Sequence, residues 1–334
     1  MNSSRRRVAL TGFGSVGQSL AQILVEYPDL LLSIAMVADR GGVAVAPDGL
    51  DPAALLEAKR EGSVARHPNG HAGQVTEDDI RDSGAEVLLE LASTSYADGE
   101  PGWTYVQSAL NMGLNVVLAS KGPLVAHWDE LFDLAARKNR SVRYSATHGA
   151  PLPAIDLARF GLSGSTLRGI RALLNSTTGL LLEQMETGKS LEEAVAMASA
   201  AGVAETNPSL DIEGWDAAAK CVILGRSLFG GRLALDEVER TGIEKLESRE
   251  AAEAARHGTP IKLLCTIEPG LSGPRASVRP ARLERADPLS TLRDGALGVV
   301  YDAEPIGPVF LAAYGAGGRP TAAAVIRDVL NLPR

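Results

Sequence analysis

The chain has 334 residues, 45% of them hydrophobic and 22% charged, with a formal net charge of −8. That is the composition of a soluble globular protein with a sizeable core, and the length favours two domains. The acidic balance offers no basic face for nucleic acid, and no apolar stretch approaches the roughly 20 residues of a membrane span.

In chain order, Arg5-Arg6-Arg7 reads as a solvated N-terminal tail. Val8 to Thr11 reads as a strand, followed by Gly12-Phe13-Gly14-Ser15-Val16-Gly17 and a helical pattern through Leu20 and Leu24. A GxGxxG stretch means little alone. Between a strand and a helix it marks a dinucleotide loop. Gly12 allows the tight turn, Gly14 lets the backbone approach a pyrophosphate, and Gly17 lets the helix pack on the strand. The free N–H groups of the helix N-terminus then face the anion. A second apolar run ends at Asp39, 22 residues beyond Gly17. An acid there can bond both ribose hydroxyls, which favours NAD over NADP. Arg40 beside it can stack on adenine or hold a phosphate, so NADP stays open.

A long insertion follows, with a short helix predicted from Pro52 to Arg60. AEVLLELAST and LNVVLAS read as buried strands on either side of an amphipathic helix ending at Gly113. Alternating strands and helices specify an α/β fold with a doubly wound parallel sheet of Rossmann type. Its ligands bind beyond the C-terminal strand ends, where Ser93, Thr94, Ser120 and Lys121 fall. After about residue 150 the pattern changes. TLRGIRALLNSTTGLLLEQM predicts a strand, a polar turn and a helix. SLEEAVAMASAAG predicts a helix capped by Ser190, with Gly202 past its end. VFLAAYG near the C-terminus reads as a buried strand, GAGG as a turn, and Thr321 as the cap of a last helix. Cys221 and Cys265 lie in apolar runs and are expected to be buried and reduced, which with no secretory signal points to the cytoplasm. His67 and His71 flank a Pro-Asn-Gly loop and read as surface residues, so no metal is expected.

One stretch resists a purely structural reading. PSLDIEGWDAAAK brings Asp211, Glu213, Asp216 and Lys220 to the start of an Ala-rich, otherwise apolar helix. Asp216 and Lys220 stand four apart, acid first, on one helix face. Charges in such surroundings need partners or a task.

The stretch GVAETNPSLDIEGWDAAAK resembles the signature of the homoserine dehydrogenase family. GFGSVGQ, VVLASKGPL, GIRALLNSTTGLLLEQM, GIEKL with GTPIKLL, and GAGGRPTAAAVIRD fit the same family in the same order. The resemblance implies a Rossmann domain, residues 1–150 completed by 312–334, and a mixed α/β substrate and dimerisation domain, residues 151–311. It implies a homodimer acting on a small-molecule substrate, with Gly315 in a loop near the nucleotide. It implies no C-terminal regulatory domain of the kind some members carry. Catalytic roles fall on Lys121, Lys220 and Asp216. Thr177, Glu205 and Asp211 bind substrate, and His148 adds a titratable group near the expected cleft. The departures are Val203 and Asn207 in the signature, Ser176 and Gly179 in the Asn-Ser-Thr-Thr-Gly turn, Leu118 and Ser120 before Lys121, and Ser145 where the family has a cation-binding Glu. They leave three readings open: homoserine oxidation, the same chemistry on another hydroxy or amino-alcohol compound, and a non-catalytic dinucleotide sensor. An acyl-enzyme mechanism would need a loop cysteine beside the cofactor motifs, and there is none.

Overall fold

The structure, a computed structural model, describes residues 5–200, 208–315 and 317–333. The chain divides into two units, Met1–Thr147 with Gly317–Arg334, and His148–Ala316.

The first unit is built on a seven-stranded sheet. Its strands are β1 (Arg6–Thr11), β2 (Leu32–Asp39), β3 (Gly42–Val45), β4 (Gly70–Ala72), β5 (Val87–Glu90), β6 (Asn115–Leu118) and β7 (Val142–Arg143), in the order β4-β3-β2-β1-β5-β6-β7. Strands β2, β1, β5, β6 and β7 are parallel. Helices cover such strands on both faces, which is why they read as unbroken apolar runs and why Val87, Leu88 and Leu89 are wholly buried. The helices are α1 (Ser15–Glu26), α2 (Pro52–Arg60), α3 (Glu77–Asp82), α4 (Gly102–Asn111), α5 (Gly122–Ala126) and α6 (Trp128–Arg137). Helix α2 starts where Asp51 accepts from the N–H groups of Ala53 and Ala54, with Pro52 in the first turn, where no N–H is missed.

The last helix, Gly318–Leu330, packs on α1. Its buried Asp328 accepts from the Ser145 N–H at 2.7 Å and hydroxyl at 2.6 Å. A carboxylate therefore does stand at Ser145, but the last helix supplies it.

Arg6 is strand rather than tail. Its guanidinium donates to the carbonyls of Leu332 and Pro333 at 2.6 and 3.0 Å, tying the first strand to the end of the last helix. The long insertion holds β3 and β4 besides its helix, antiparallel additions to the parallel sheet. His67 is buried, and its Nδ1 accepts from the Asn69 N–H. The last helix is capped at Gly317, and Thr321 lies inside it, donating back to the Gly317 carbonyl.

The second unit centres on a six-stranded sheet. It comprises β8 (Thr166–Leu173), β9 (Glu239–Arg240), β10 (Ile261–Glu268), β11 (Arg275–Arg282), β12 (Leu297–Glu304) and β13 (Gly307–Ala313), in the order β13-β12-β8-β10-β11-β9. All pairings are antiparallel except β11 with β9. Strand β13 is an edge with alternating exposure rather than a buried strand, and Phe310 on it is exposed. The helices are α7 (Ala154–Asp156), α8 (Ser176–Glu186), α9 (Leu191–Ala200), α10 (Ser209–Ile212), α11 (Trp215–Phe229) and α12 (Ser248–Arg256). Helix α11 packs on β10 and β11. Its small residues make this possible, since a Cβ at Gly225 would meet Pro274 and Ile267 at 3.2 and 3.3 Å. Cys221 and Cys265 are free and buried in this core. Among the described residues no helix is long and apolar enough to cross a membrane.

Candidate active site

Strand order in the first sheet reverses at β1, whose neighbours are β2 and β5. A crevice forms beyond the strand ends at such a switch point. A cleft of about 690 Å³ opens there, lined by Gly12, Phe13 and Gly14 after β1, Asp39 and Arg40 at the end of β2, and Leu91, Ala92 and Ser93 after β5. The glycines fit a dinucleotide for three separate reasons. Gly12 has φ +102°, and a Cβ there would lie 2.6 Å from the Ala92 nitrogen. A Cβ at Gly17 would lie 2.7 Å from the Gly12 carbonyl oxygen. At Gly14 a Cβ would meet nothing within 4 Å, so the space is open for a ligand. Gly14 caps α1 with no side-chain hydrogen bond, which leaves the first-turn N–H groups of Ser15, Val16 and Gly17 to an anion.

Asp39 lines this cleft at the end of β2, but its carboxylate is turned into the protein. Its side chain is 4% exposed and 2.6 Å from Lys59 Nζ. Its oxygens accept from Gly41 N, Gly42 N, Val64 N and Ser63 Oγ as well. Burial raises the carboxyl's proton affinity, yet Lys59, Ser63 and the Gly41 and Val64 N–H groups outweigh it and hold the group below the usual range. The expected ribose acceptor is thus engaged by protein donors. Lys59 and Arg40, both lining the cleft, give this end positive charge. Nothing local announces Lys59; the insertion folds it back.

Sequence reasoning also passed over Glu90. It ends an apolar run and is wholly buried beneath the cleft. Burial pushes its carboxyl up to about 7, against hydrogen bonds from the Ser120 hydroxyl and the Ala92 N–H. Ser120 is therefore committed to Glu90. Thr94 is committed too, its hydroxyl accepting from the Gly122 N–H at 2.9 Å beside Lys121. These bonds tie the β5 and β6 loop ends together.

A stability signature follows. Glu90 holds its proton to higher pH folded than unfolded, so the folded state carries more protons between about pH 4.5 and 7. Stability attributable to it is highest below that window and declines as pH rises through it, by about 3 kcal/mol in all. Glu90→Gln keeps the neutral form's shape. Thermal unfolding of wild type relative to this variant is expected to worsen from pH 5 to 8; parallel curves would remove the ionisation from the account.

In the second unit the acids and the lysine come together. Gly214, at φ +81°, turns the chain from α10 into α11, so that Asp211 and Asp216 flank the corner. Asp216 sits in the first turn of α11, where a negative charge suits the helix dipole. Lys220 Nζ lies 2.7 Å from Asp216 Oδ2 and donates to the Leu174 carbonyl at 2.6 Å. Both side chains are about 15% exposed, so this pair is neither solvated nor sealed off. Asn175, next to Leu174, donates to Asp211 Oδ1 at 2.6 Å and to Asp216 Oδ2 at 2.8 Å. Thr177 stands half-buried in the first turn of α8. Glu213 accepts from the Trp215 indole, and Arg240 lies over that ring, 3.6 Å from its centroid.

The family departures at 176 and 179 face another part of the protein. Ser176 donates to the Gly295 carbonyl, and a Cβ at Gly179 would lie 3.5 Å from Gly295 Cα. They fit α8 to the turn before β12. His148 is wholly buried. Gly315 takes φ +101° and falls in the second unit. Gly202, Val203, Glu205 and Asn207 lie outside the described residues. Among the described residues no group of three or more His, Cys, Asp or Glu side chains is placed to hold a metal.

A cleft at a switch point of one unit and a carboxylate–lysine cluster in the other are features of a NAD(P)-dependent oxidoreductase acting on a CH–OH group, the class to which the family and relatives of this chain belong. Residues 12–145 match the homoserine dehydrogenase NAD-binding domain, and residues 153–330 match homoserine dehydrogenase. The chain belongs to the homoserine dehydrogenase family. It is similar to the NAD(+)-dependent homoserine dehydrogenase of Pseudomonas canavaninivorans, 33% identical over 98% of this chain and 96% of that one. The homoserine dehydrogenase of Methanocaldococcus jannaschii is 30% identical over 97% and 98%. Among solved structures, a hyperthermophilic archaeal homoserine dehydrogenase in complex with NADPH matches with TM-score 0.84 at 26% identity, covering 98% of this chain and 97% of that one. The enzyme of Thermoplasma acidophilum matches with TM-score 0.84 at 26% identity and 98% coverage of both.

Proposed function

We propose that the protein interconverts L-homoserine and L-aspartate 4-semialdehyde. The observation that carries this reading is the Asp211–Asp216–Lys220 cluster, held by hydrogen bonds in a chain that matches the family end to end. Bound NAD(P) supplies hydride acceptance at the alcohol carbon and hydride donation in the reverse direction. Lys220 serves the oxygen. Leu174 and Asp216 accept two of its ammonium protons. The third N–H donates to the substrate oxygen, stabilises negative charge developing there, and passes the proton during aldehyde reduction. In alcohol oxidation the proton returns to Lys220. Asp216 keeps Lys220 in place. Asp211 and Glu205 take the substrate ammonium group, and Thr177 at the start of α8 takes the carboxylate. The resemblance gives Lys121 a role as a second catalytic lysine, and His148 a role as a further substrate-binding group. It gives Gly315 a role in cofactor binding.

The domain assignment proposed with this is residues 1–150 and 312–334 for the cofactor and 151–311 for the substrate. A cytoplasmic location is supported by two free buried thiols. A homodimer is supported by the exposed apolar edge at Phe310 and Tyr314.

The purified protein should reduce NAD with L-homoserine at mildly alkaline pH. Tight NAD binding without turnover would remove homoserine as the substrate. The Lys59–Asp39 pair predicts use of NADP as well. Lys59→Ala frees the Asp39 carboxylate for ribose hydroxyls and removes a cation from the same end. The ratio of kcat/KM for NAD over NADP is expected to rise about tenfold, equivalent to ~1.4 kcal/mol. An unchanged ratio would show that the pair does not set cofactor choice.

A further inference from the structure

We infer that Asn175 is a positioning residue of the active site, holding Asp211, Asp216 and, through them, Lys220 in their working arrangement. This deepens the homoserine dehydrogenase reading and rests on it for its kinetic part alone.

Three properties of Asn175 converge. Its amide nitrogen has two N–H donors, and both are spent on carboxylates, Asp211 Oδ1 at 2.6 Å and Asp216 Oδ2 at 2.8 Å. Two acids brought this close repel each other, and a shared donor offsets that cost. The Asp216 oxygen it binds is the same one that lies 2.7 Å from Lys220 Nζ. Its amide oxygen accepts from the Thr178 N–H at 2.8 Å and so caps α8, locking the side-chain rotamer. Thr178 in turn donates through its hydroxyl to the Asp211 carbonyl at 3.0 Å. The main chain contributes as well, since the carbonyl accepting from Lys220 belongs to Leu174, immediately before Asn175.

Neither Asp nor Ser satisfies all of this. Asp at 175 would keep the cap but face two carboxylates with a third. Ser would keep the cap acceptor but lose the bridge. The division between capping and bridging makes the inference testable.

The experiment compares wild type, N175S, D216N and N175S/D216N. N175S retains the cap but loses the donor shared by the two carboxylates, so its Tm is expected to fall modestly while the fold is kept, and NAD affinity is expected to be unchanged because the cleft residues lie in the other unit. Its kcat with L-homoserine is expected to fall about 10- to 100-fold, the effect of misplacing a catalytic group by about 1 Å. KM is expected to rise as Asp211 loses its donor. In kcat the double variant is expected to be no slower than D216N, since both changes reach Lys220 through the one Asn175–Asp216 linkage, while the loss at Asp211 shows in KM. Additive losses would overturn the inference, showing a general loosening instead. Crystal structures of wild type and N175S give the arm that does not need homoserine to be the substrate. In the variant the contacts of Lys220 with Asp216 and Leu174 are expected to lengthen. If those contacts stay in place, Asn175 does not position the lysine, whatever the enzyme turns over.

Discussion

Gly14→Asp is expected to weaken NAD binding by 100-fold or more without unfolding the protein. A Cβ at position 14 meets no atom within 4 Å, and its backbone, at φ −86°, is open to any residue. The substitution therefore adds no strain. What it adds is a carboxylate at the mouth of α1, where the uncapped N–H groups would draw a pyrophosphate. Two like charges about 4 Å apart near a protein surface repel by about 4 kcal/mol, more than the ~2.7 kcal/mol that 100-fold in Kd represents. Gly12→Ala is the contrast. The positive φ and the 2.6 Å approach to Ala92 make that change a fault in the strand–turn–helix junction, with lower Tm as well as lost binding. Titration of NAD by fluorescence or calorimetry alongside thermal unfolding separates the two. Undiminished NAD affinity in Gly14→Asp would place the pyrophosphate elsewhere.

What the sequence disclosed follows from range of interaction. The Pro52–Arg60 helix was legible because its cap, first-turn proline and apolar spacing are all local. The dinucleotide loop was legible because each glycine answers a backbone constraint set by its immediate neighbours. The Asp216–Lys220 pair needed only the four-residue spacing of a helix. The rest depends on partners far along the chain. Asp39 looks like a ribose ligand until Lys59 and Ser63 fold back onto it. Ser120 looks like a cofactor contact until Glu90 takes its hydroxyl. Arg6 looks like a tail until the chain's last residues reach it. Asn175 had a weak signal, an amide just before a Ser-Thr-Thr turn at a helix start, which announces a cap but not the two carboxylates it bridges. Glu90 had one too, an acid closing an apolar strand. Thr321 was misread because a threonine four residues inside a helix bonds backward much as a cap bonds forward.

Lys220→Ala is expected to lower kcat about 1,000-fold for homoserine oxidation and for the reverse reduction, with NAD affinity unchanged. Proton transfer by a positioned group contributes about 10²- to 10⁴-fold, and charge stabilisation at the oxygen adds to it. Removing the ammonium takes both. It also leaves Asp216 and the Leu174 carbonyl without their common donor, so some stability is lost, about 1–3 kcal/mol. Tm will fall, and the loss of rate must be separated from it. Two measurements do so. NAD binding reports on the first unit, which Lys220 is not part of. Small primary amines added to Lys220→Ala are expected to restore part of the rate, because an amine entering the space of the lost side chain can carry the same proton. Lys220→Arg keeps the charge but releases its proton only at far higher pH, so it is expected to hold the fold better than Ala while remaining slow. If turnover survives in Lys220→Ala, the pair is structural, and the proton passes through another group, with Lys121 the next to test.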